Sequence, residues 1–317
     1  MPSAIGIDFG GTNTKVAIVT ESGSIKSKTS FETGSPFSRD KWIQSLNKKI
    51  ADLQKKNPSD VPLGIGIGIA ALVDPEKKTV LHAPNITGID GWEMGKDLEK
   101  HFQMPVKIDN DVNAVALGEH IFKKTGGARN IVVLTLGTGV GGGLILGGRL
   151  YRGSRFIAGE LGHITINEKG PRCSCGNTGC AEAYLGNQRI VSNFKELLKK
   201  GRRSLLEKSV QKGENLTPQL IYEAAKNGDE ASLQIWEGVA EHLATLLSSV
   251  INLLNPDRII IGGGVANAFD LIEKPLWEHL KKRALKDALN GLVIERSHLG
   301  SDAGVIGAAS LVLEKEI

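Results

Sequence analysis

The chain has 317 residues, more than one hydrophobic core usually organises, so two domains of about 150 residues each are expected. Its 40% hydrophobic and 23% charged residues are those of an ordinary globular protein, which excludes a disordered or fibrous chain. The net charge of +4 is spread over short clusters, Lys123–Lys124, Lys199 to Arg203 and Lys281 to Arg283, that read as solvated helix faces, so neither nucleic acid nor a membrane is an expected partner.

The opening MPSAIGIDFG lacks a basic start and reaches Asp8 before any apolar run develops; it does not read as a signal peptide, and a cytoplasmic location is expected. AIGIDFG, GTNTKVAIVT and SIKSKTSF, with turn signals at Gly10–Gly11 and Ser22–Gly23, predict a three-strand meander. A helix follows, with Trp42, Ile43, Leu46, Ile50 and Leu53 at helical spacing, then a buried-looking strand, LGIGIGIA, at 63 to 70. PVKID is a further strand that runs directly into an Ala-rich helix, NDVNAVALGEHIF.

Ile131 to Gly148 is uncharged over about the length of a membrane span. Seven of its residues are glycine and its β-branched start reads as a strand entering a turn, so no membrane helix is expected. IVVLTLG, GGLILGG and HITIN predict a second hairpin-rich set, and helices fill roughly 186 to 254, with Thr217 and Pro218 as an N-cap and first-turn pair. DRIIIGGG is expected as the final strand, of parallel type, before a helix from about Ala268; the last helix, DAGVIGAASLVLE, is expected to pack back on the first domain. Strand, Gly-rich turn and strand thus open two successive units, a duplication of architecture that predicts two similar α/β domains around a cleft.

Three glycine-rich turns could each hold phosphate. Asp8 to Thr12, DFGGT, lies between strands, where backbone N–H groups can form an anion nest and Gly10 and Gly11 clear the approach. Gly137, Gly139 and Gly142 match the spacing of a dinucleotide fingerprint, but a strand follows instead of a helix, so hydride chemistry is excluded and a second phosphate hairpin remains. The third turn, Gly262, Gly263 and Gly264, runs from strand to helix, as suits a nucleotide at a helix N-terminus. With no Walker A sequence, the set resembles the superfamily of sugar kinases, hexokinases, heat-shock proteins and actin.

Asp109, Asn110 and Asp111 lie where a strand gives way to a helix, a usual place for chemistry in an α/β fold, although Asp111 could simply cap that helix. The three cysteines, Cys173, Cys175 and Cys180, fall within eight residues; an odd number in a Cys-x-Cys cluster argues against disulfides. With His163 ten residues upstream they supply the four N/S ligands that tetrahedral Zn²⁺ prefers.

GELGHITIN and CSCGNTGCAEAY, together with DFGGT, DNDVNAVALGE and GTGVGGG, closely resemble the ROK family (repressors, uncharacterised frames, sugar kinases), and within it the bacterial-type ATP-dependent glucokinases. The resemblance implies two actin-like ATPase (ribonuclease H-like) α/β domains flanking a central cleft: a smaller one of residues 1–117 plus 303–317, and a larger one, 118–302, carrying structural zinc. It implies ATP-dependent phosphorylation of a hexose, glucose first, at the 6-hydroxyl, with fructose, mannose, N-acetylglucosamine and N-acetylmannosamine as alternatives. Asp111 would accept the hydroxyl proton, and Asn110, Glu160, His163 and Glu182 would hold the other hydroxyls. Gly10, Gly11 and Thr12, with Asn13 and Lys15 beside them, and Gly137, Thr138 and Gly139 would hold ATP phosphates, with Asp8 reaching Mg²⁺ through water; Gly262, Gly263 and Gly264 would take the nucleoside side.

Two other readings remain at this point. Repressors of the family carry a winged-helix segment ahead of the DxGGT hairpin, where only seven residues precede Asp8 here, and a zinc-stabilised sugar-binding module needs no catalysis at all. The family also implies a homodimer or homotetramer. Family members carry Pro-Gly where this chain has Ala70–Ala71, on the sugar side. Because His163 and Glu182 flank the cysteines, loss of zinc is expected to weaken sugar binding while nucleotide contacts survive.

Overall fold

The computed structural model describes residues 2–122 and 127–314; the Lys123–Lys124 pair and the ends of the expected 1–117 and 303–317 segments lie outside them. β1 (Ser3–Phe9), β2 (Asn13–Thr20) and β3 (Ile25–Glu32) form the expected antiparallel meander. α1 (Arg39–Lys56) and β4 (Ile65–Ile69) follow, then a small antiparallel pair, β5 (Leu72–Asp74) and β6 (Thr79–His82). α2 (Met94–Phe102), β7 (Val106–Asn110) and α3 (Asp111–Phe122) complete the series. The first sheet has the order β3-β2-β1-β4-β7, with β4 parallel to both β1 and β7.

The period-2 alternation of large and small residues in β1 and β4 separates the faces of this sheet. Ile5, Ile7, Phe9, Ile65, Ile67 and Ile69 form one core with Trp42, Leu46, Ile50 and Leu53 of α1. On the other face Ala4 packs with Val305, Ile306 and Ala309 of the chain's last helix. Glycine is required there by close approach: a methyl group would lie 1.9 Å from the Val305 carbonyl oxygen at Gly6 and 1.8 Å from that of Ala308 at Gly66. The last helix therefore rests its backbone directly on the sheet, as the sequence predicts.

β8 (Ile131–Leu136), β9 (Val140–Leu146) and the two-residue β10 (Arg149–Leu150) open the second series. The helices α4 (Glu182–Leu185), α5 (Asn187–Lys199), α6 (Glu207–Gln211), α7 (Pro218–Lys226) and α8 (Glu230–Leu254) fill the expected helical stretch. The Thr217 hydroxyl caps α7 by accepting the Leu220 N–H at 3.3 Å. β11 (Arg258–Gly262), α9 (Phe269–Arg283), β12 (Val293–Arg296) and α10 (Ala303–Leu313) end the series. The second sheet, β10-β9-β8-β11-β12, repeats the order of the first, so the duplication inferred from the sequence is a duplication of topology.

Two expected strands need correction. HITIN is not a strand: Leu161–His163 form one 3-10 turn, and Thr165 makes only an isolated bridge to Cys180. Its backbone is claimed by the cysteine loop, with the Ala181 N–H on the Ile164 oxygen and the Ile166 N–H on the Gly179 oxygen, both at 2.9 Å. DRIIIG is not the last strand either, since β12 pairs with it in parallel; VIER buries only Ile294 and so carries little apolar signal.

The chain divides into two compact units, Met1–Ile131 with Gly143–Gly159 and His298–Ile317, and Val132–Gly142 with Glu160–Ser297. These limits differ from the expected 117/118 and 302/303 cuts because α3 continues unbroken to Phe122 and packs on α10. No helix among the described residues is long and apolar enough to cross a membrane.

Candidate active site

In the first unit, Asp8 near the end of β1 stands directly opposite Lys15 of β2, with Nζ 3.7 Å from Oδ2. The turn between them is pinned at its base: the Gly10 N–H donates to the Asn13 oxygen at 3.1 Å, and the Thr33 hydroxyl donates to the Gly10 oxygen at 2.7 Å. Gly11, Thr12 and Asn13 remain exposed, as a phosphate-binding turn requires. Burial pushes the Asp8 carboxyl above its ordinary range, and the Lys15 ammonium draws it part of the way back.

At the β7–α3 junction the three polar residues divide their work. Asp109 is buried; its Oδ1 accepts the Asn110 N–H at 2.8 Å and Asn113 Nδ2 at 3.0 Å, while Oδ2 accepts Arg152 Nε at 2.7 Å. Asn110 caps α3, its Oδ1 accepting the N–H groups of Val112 at 2.9 Å and Asn113 at 3.1 Å. Capping, the competing reading for Asp111, thus falls mainly to its neighbour, although Asp111 Oδ1 shares the Val112 N–H at 2.9 Å. Asn110 Nδ2 donates to the Ala71 carbonyl at 3.3 Å, so the Ala70–Ala71 loop buttresses Asn110 through its backbone.

In the second unit the hairpin between β8 and β9 closes with the Gly137 N–H on the Gly139 oxygen at 2.9 Å. Glu182, the first residue of α4, sits against it: Oε2 accepts the Val140 N–H at 3.0 Å, and a methyl group on Gly139 would fall 2.4 Å from that oxygen. Oε1 accepts the Ser174 hydroxyl at 3.2 Å. The third turn follows β11 with Gly263 at φ 83°, where a Cβ would lie 2.2 Å from the Leu136 oxygen, and Gly264 opens a 3-10 turn leading into α9.

The cysteine loop converges as predicted. The ligand atoms of His163, Cys173, Cys175 and Cys180 all lie within 4.8 Å of one another, with Cys175 and Cys180 sulfurs 3.7 Å apart and Cys173 Sγ 3.8 Å from His163 Nδ1. Zinc at about 2.3 Å from sulfur and 2.0 Å from nitrogen would place ligand atoms about 3.5–3.8 Å apart, so this donor set fits a tetrahedral ion. The other ring nitrogen of His163, Nε2, lies 3.8 Å from Glu160 Oε2. Burial, then the neighbouring thiols, push the Cys180 thiol up to about 12, whereas the Asn177 backbone N–H holds Cys175 below its usual range.

The structure also shows two contributors that no sequence motif marked. Arg152 neutralises Asp109 from 43 residues away, and Ser174 joins Glu182 to the cysteine loop.

Comparison with known proteins gives a consistent picture. The ROK family model matches residues 4–315. Glucokinase of Halalkalibacterium halodurans is 36% identical over 98% of this chain and 95% of its own length. The xylose repressor of Caldicellulosiruptor bescii is 33% identical over 85% of this chain but only 69% of its own length. Among solved structures, a ROK family glucokinase from Streptomyces griseus in complex with glucose and AMPPNP superposes with a TM-score of 0.81 at 31% identity, covering 98% of both chains.

Proposed function

This chain belongs to the ROK family, and on that premise we propose that it is a sugar kinase transferring the γ-phosphoryl group of ATP to the 6-hydroxyl of glucose. The observation that carries the reading is the division of labour at the β7–α3 junction. Asp109 is paired to Arg152 and Asn110 caps the helix, and Asp111, the first residue of α3, is the carboxylate to which the likeness to ROK kinases gives the proton transfer.

The proposed chemistry asks little covalent work of the protein. As O6 of the sugar bonds to the γ-phosphorus and the bond from phosphorus to the β–γ bridging oxygen breaks, Asp111 takes the hydroxyl proton and ADP leaves. Asn110, Glu160, His163 and Glu182 would hold the remaining hydroxyls, so that a sugar lacking one would leave a polar group without its partner. Backbone N–H groups of the turns at Gly10 to Thr12 and Gly137 to Gly139 would orient the phosphates, and the glycines at 262 to 264 would admit the nucleoside. Magnesium, held near Asp8, would supply charge neutralisation on the phosphates. Three thiolates and His163 Nδ1 would hold zinc, leaving His163 Nε2 to face the sugar. The three cysteines form no disulfide, which accords with a reducing, cytoplasmic compartment.

A coupled ADP-release assay with Mg-ATP across a hexose panel tests this, with glucose expected as the best acceptor. Asp111→Ala is expected to lower kcat by about 10²–10⁴-fold with glucose affinity changed only a few-fold. No ADP release with any hexose would overturn the proposal. Similarity to the xylose repressor motivates one further measurement: salt-sensitive, sequence-selective DNA binding would favour a regulator instead.

A further inference from the structure

We propose that Glu182 is a positioning residue for the nucleotide: its carboxylate clasps the 137–140 hairpin to the cysteine loop, so that the state of the Cys3His cluster sets nucleotide affinity. The inference rests on the kinase reading for the identity of the ligand.

Two hydrogen bonds fasten the hairpin to α4 and the start of α5, and Gly186 between the two helices lies close against it. The Asn187 N–H donates to the Gly137 oxygen at 2.9 Å, Glu182 Oε2 accepts the Val140 N–H at 3.0 Å, and the Gly186 backbone crowds Thr138, a methyl there falling 3.0 Å from the Thr138 oxygen. α4 is in turn fastened to the cysteine loop. Cys180 lies two residues before Glu182, the Ala181 N–H holds the Ile164 oxygen at 2.9 Å, the Ser174 hydroxyl donates to Glu182 Oε1 at 3.2 Å, and Cys173 Sγ lies 3.8 Å from that same oxygen.

Glu182 therefore contacts both sides, one oxygen on each. Bonds to an ionised acceptor are the stronger kind, and a carboxylate has lone-pair sites enough for Val140, Ser174 and a sugar hydroxyl together, so the clasp and a sugar contact are compatible. Gly139 is shaped to this role, because any side chain there would displace Oε2. When the cluster is empty, the segment from Cys173 to Cys180 loses the ligand bonds that fix it, and the hairpin loses its anchorage. On this proposal nucleotide contacts would weaken with the zinc, the opposite of the expectation drawn from the sequence.

The experiment is ADP binding by titration calorimetry without sugar, on zinc-loaded and chelator-stripped protein, with circular dichroism to verify the fold. Stripping is expected to weaken ADP about tenfold in the parent chain. Zinc-loaded Glu182→Ala should show a similar loss, to which stripping adds little, whereas Glu182→Gln, which still accepts from Val140 and can donate to Ser174, should bind ADP nearly as the parent does. If Glu182→Ala does not fold, Ser174→Ala on the exposed side of the loop replaces it and should shrink the difference between loaded and stripped protein. ADP affinity that is equal in both states, with only glucose affinity falling, would overturn the clasp while leaving the kinase reading intact. Failure of loaded parent protein to bind ADP at all would overturn both.

Discussion

Burial of Asp8 disfavours its carboxylate, and Lys15, with Nζ 3.7 Å away, offsets this only in part. Because the folded-state pKa is raised above its ordinary 3.8, the free fold holds this proton more tightly than the unfolded chain does. The stability contributed by Asp8 is thus greatest in acid and is lost as pH rises through the folded value. Asp8→Asn is expected to raise the melting temperature of the ligand-free protein at neutral pH, a gain that vanishes below the unfolded pKa, while Mg-ATP turnover falls by about 10²-fold or more. Thermal melts as a function of pH check the first part, and a neutral-pH melting temperature below that of the parent would refute it. At this scale the gathering of His163 with the three cysteines was legible from side-chain type and spacing. What the sequence could not divide was Asp109, Asn110 and Asp111, since the division depends on Arg152, 43 residues away, and on which carbonyl happens to buttress Asn110.

Among the elements, the alternation of isoleucine and glycine in β1 and β4 was visible in the sequence, and its meaning is the close approach of α10. Gly66→Ala is expected to destabilise by about 1–3 kcal/mol, because the new methyl meets the Ala308 carbonyl, backbone that cannot turn aside. Gly238→Ala, inside α8 with nothing within 4 Å, should instead stabilise by roughly 0.5–1 kcal/mol. Urea midpoints measure both, and equal midpoints for the two variants would contradict the packing argument. HITIN was misjudged and VIER passed over, for opposite reasons. HITIN has strand-like residues whose backbone is taken by the cysteine loop, and VIER makes a strand with one buried side chain.

For the molecule as a whole, the sequence foretold two similar α/β units and a zinc-like cluster, but not where the chain passes from one unit to the other. The cluster makes the state of the protein depend on pH. Since burial holds the Cys180 thiol up to about 12, loading zinc must expel that proton anywhere near neutrality. Zinc affinity, measured by competition with a chelator, is therefore expected to rise at least about tenfold per pH unit between about pH 6 and 8. A flat profile would remove Cys180 from the ligand set.

The passages between units fall at 131/132, 142/143, 159/160 and 297/298, so no single cut yields either unit whole. α10 supplies the cover for the β1 and β4 face, yet it follows those strands by more than two hundred residues. During synthesis the first sheet must wait, with one side only partly covered by α3, until residues 303–313 have been made. Strands made early are thus among the last to be fully covered, and a nascent chain stalled in the second unit is where a chaperone would find exposed strand surface to hold.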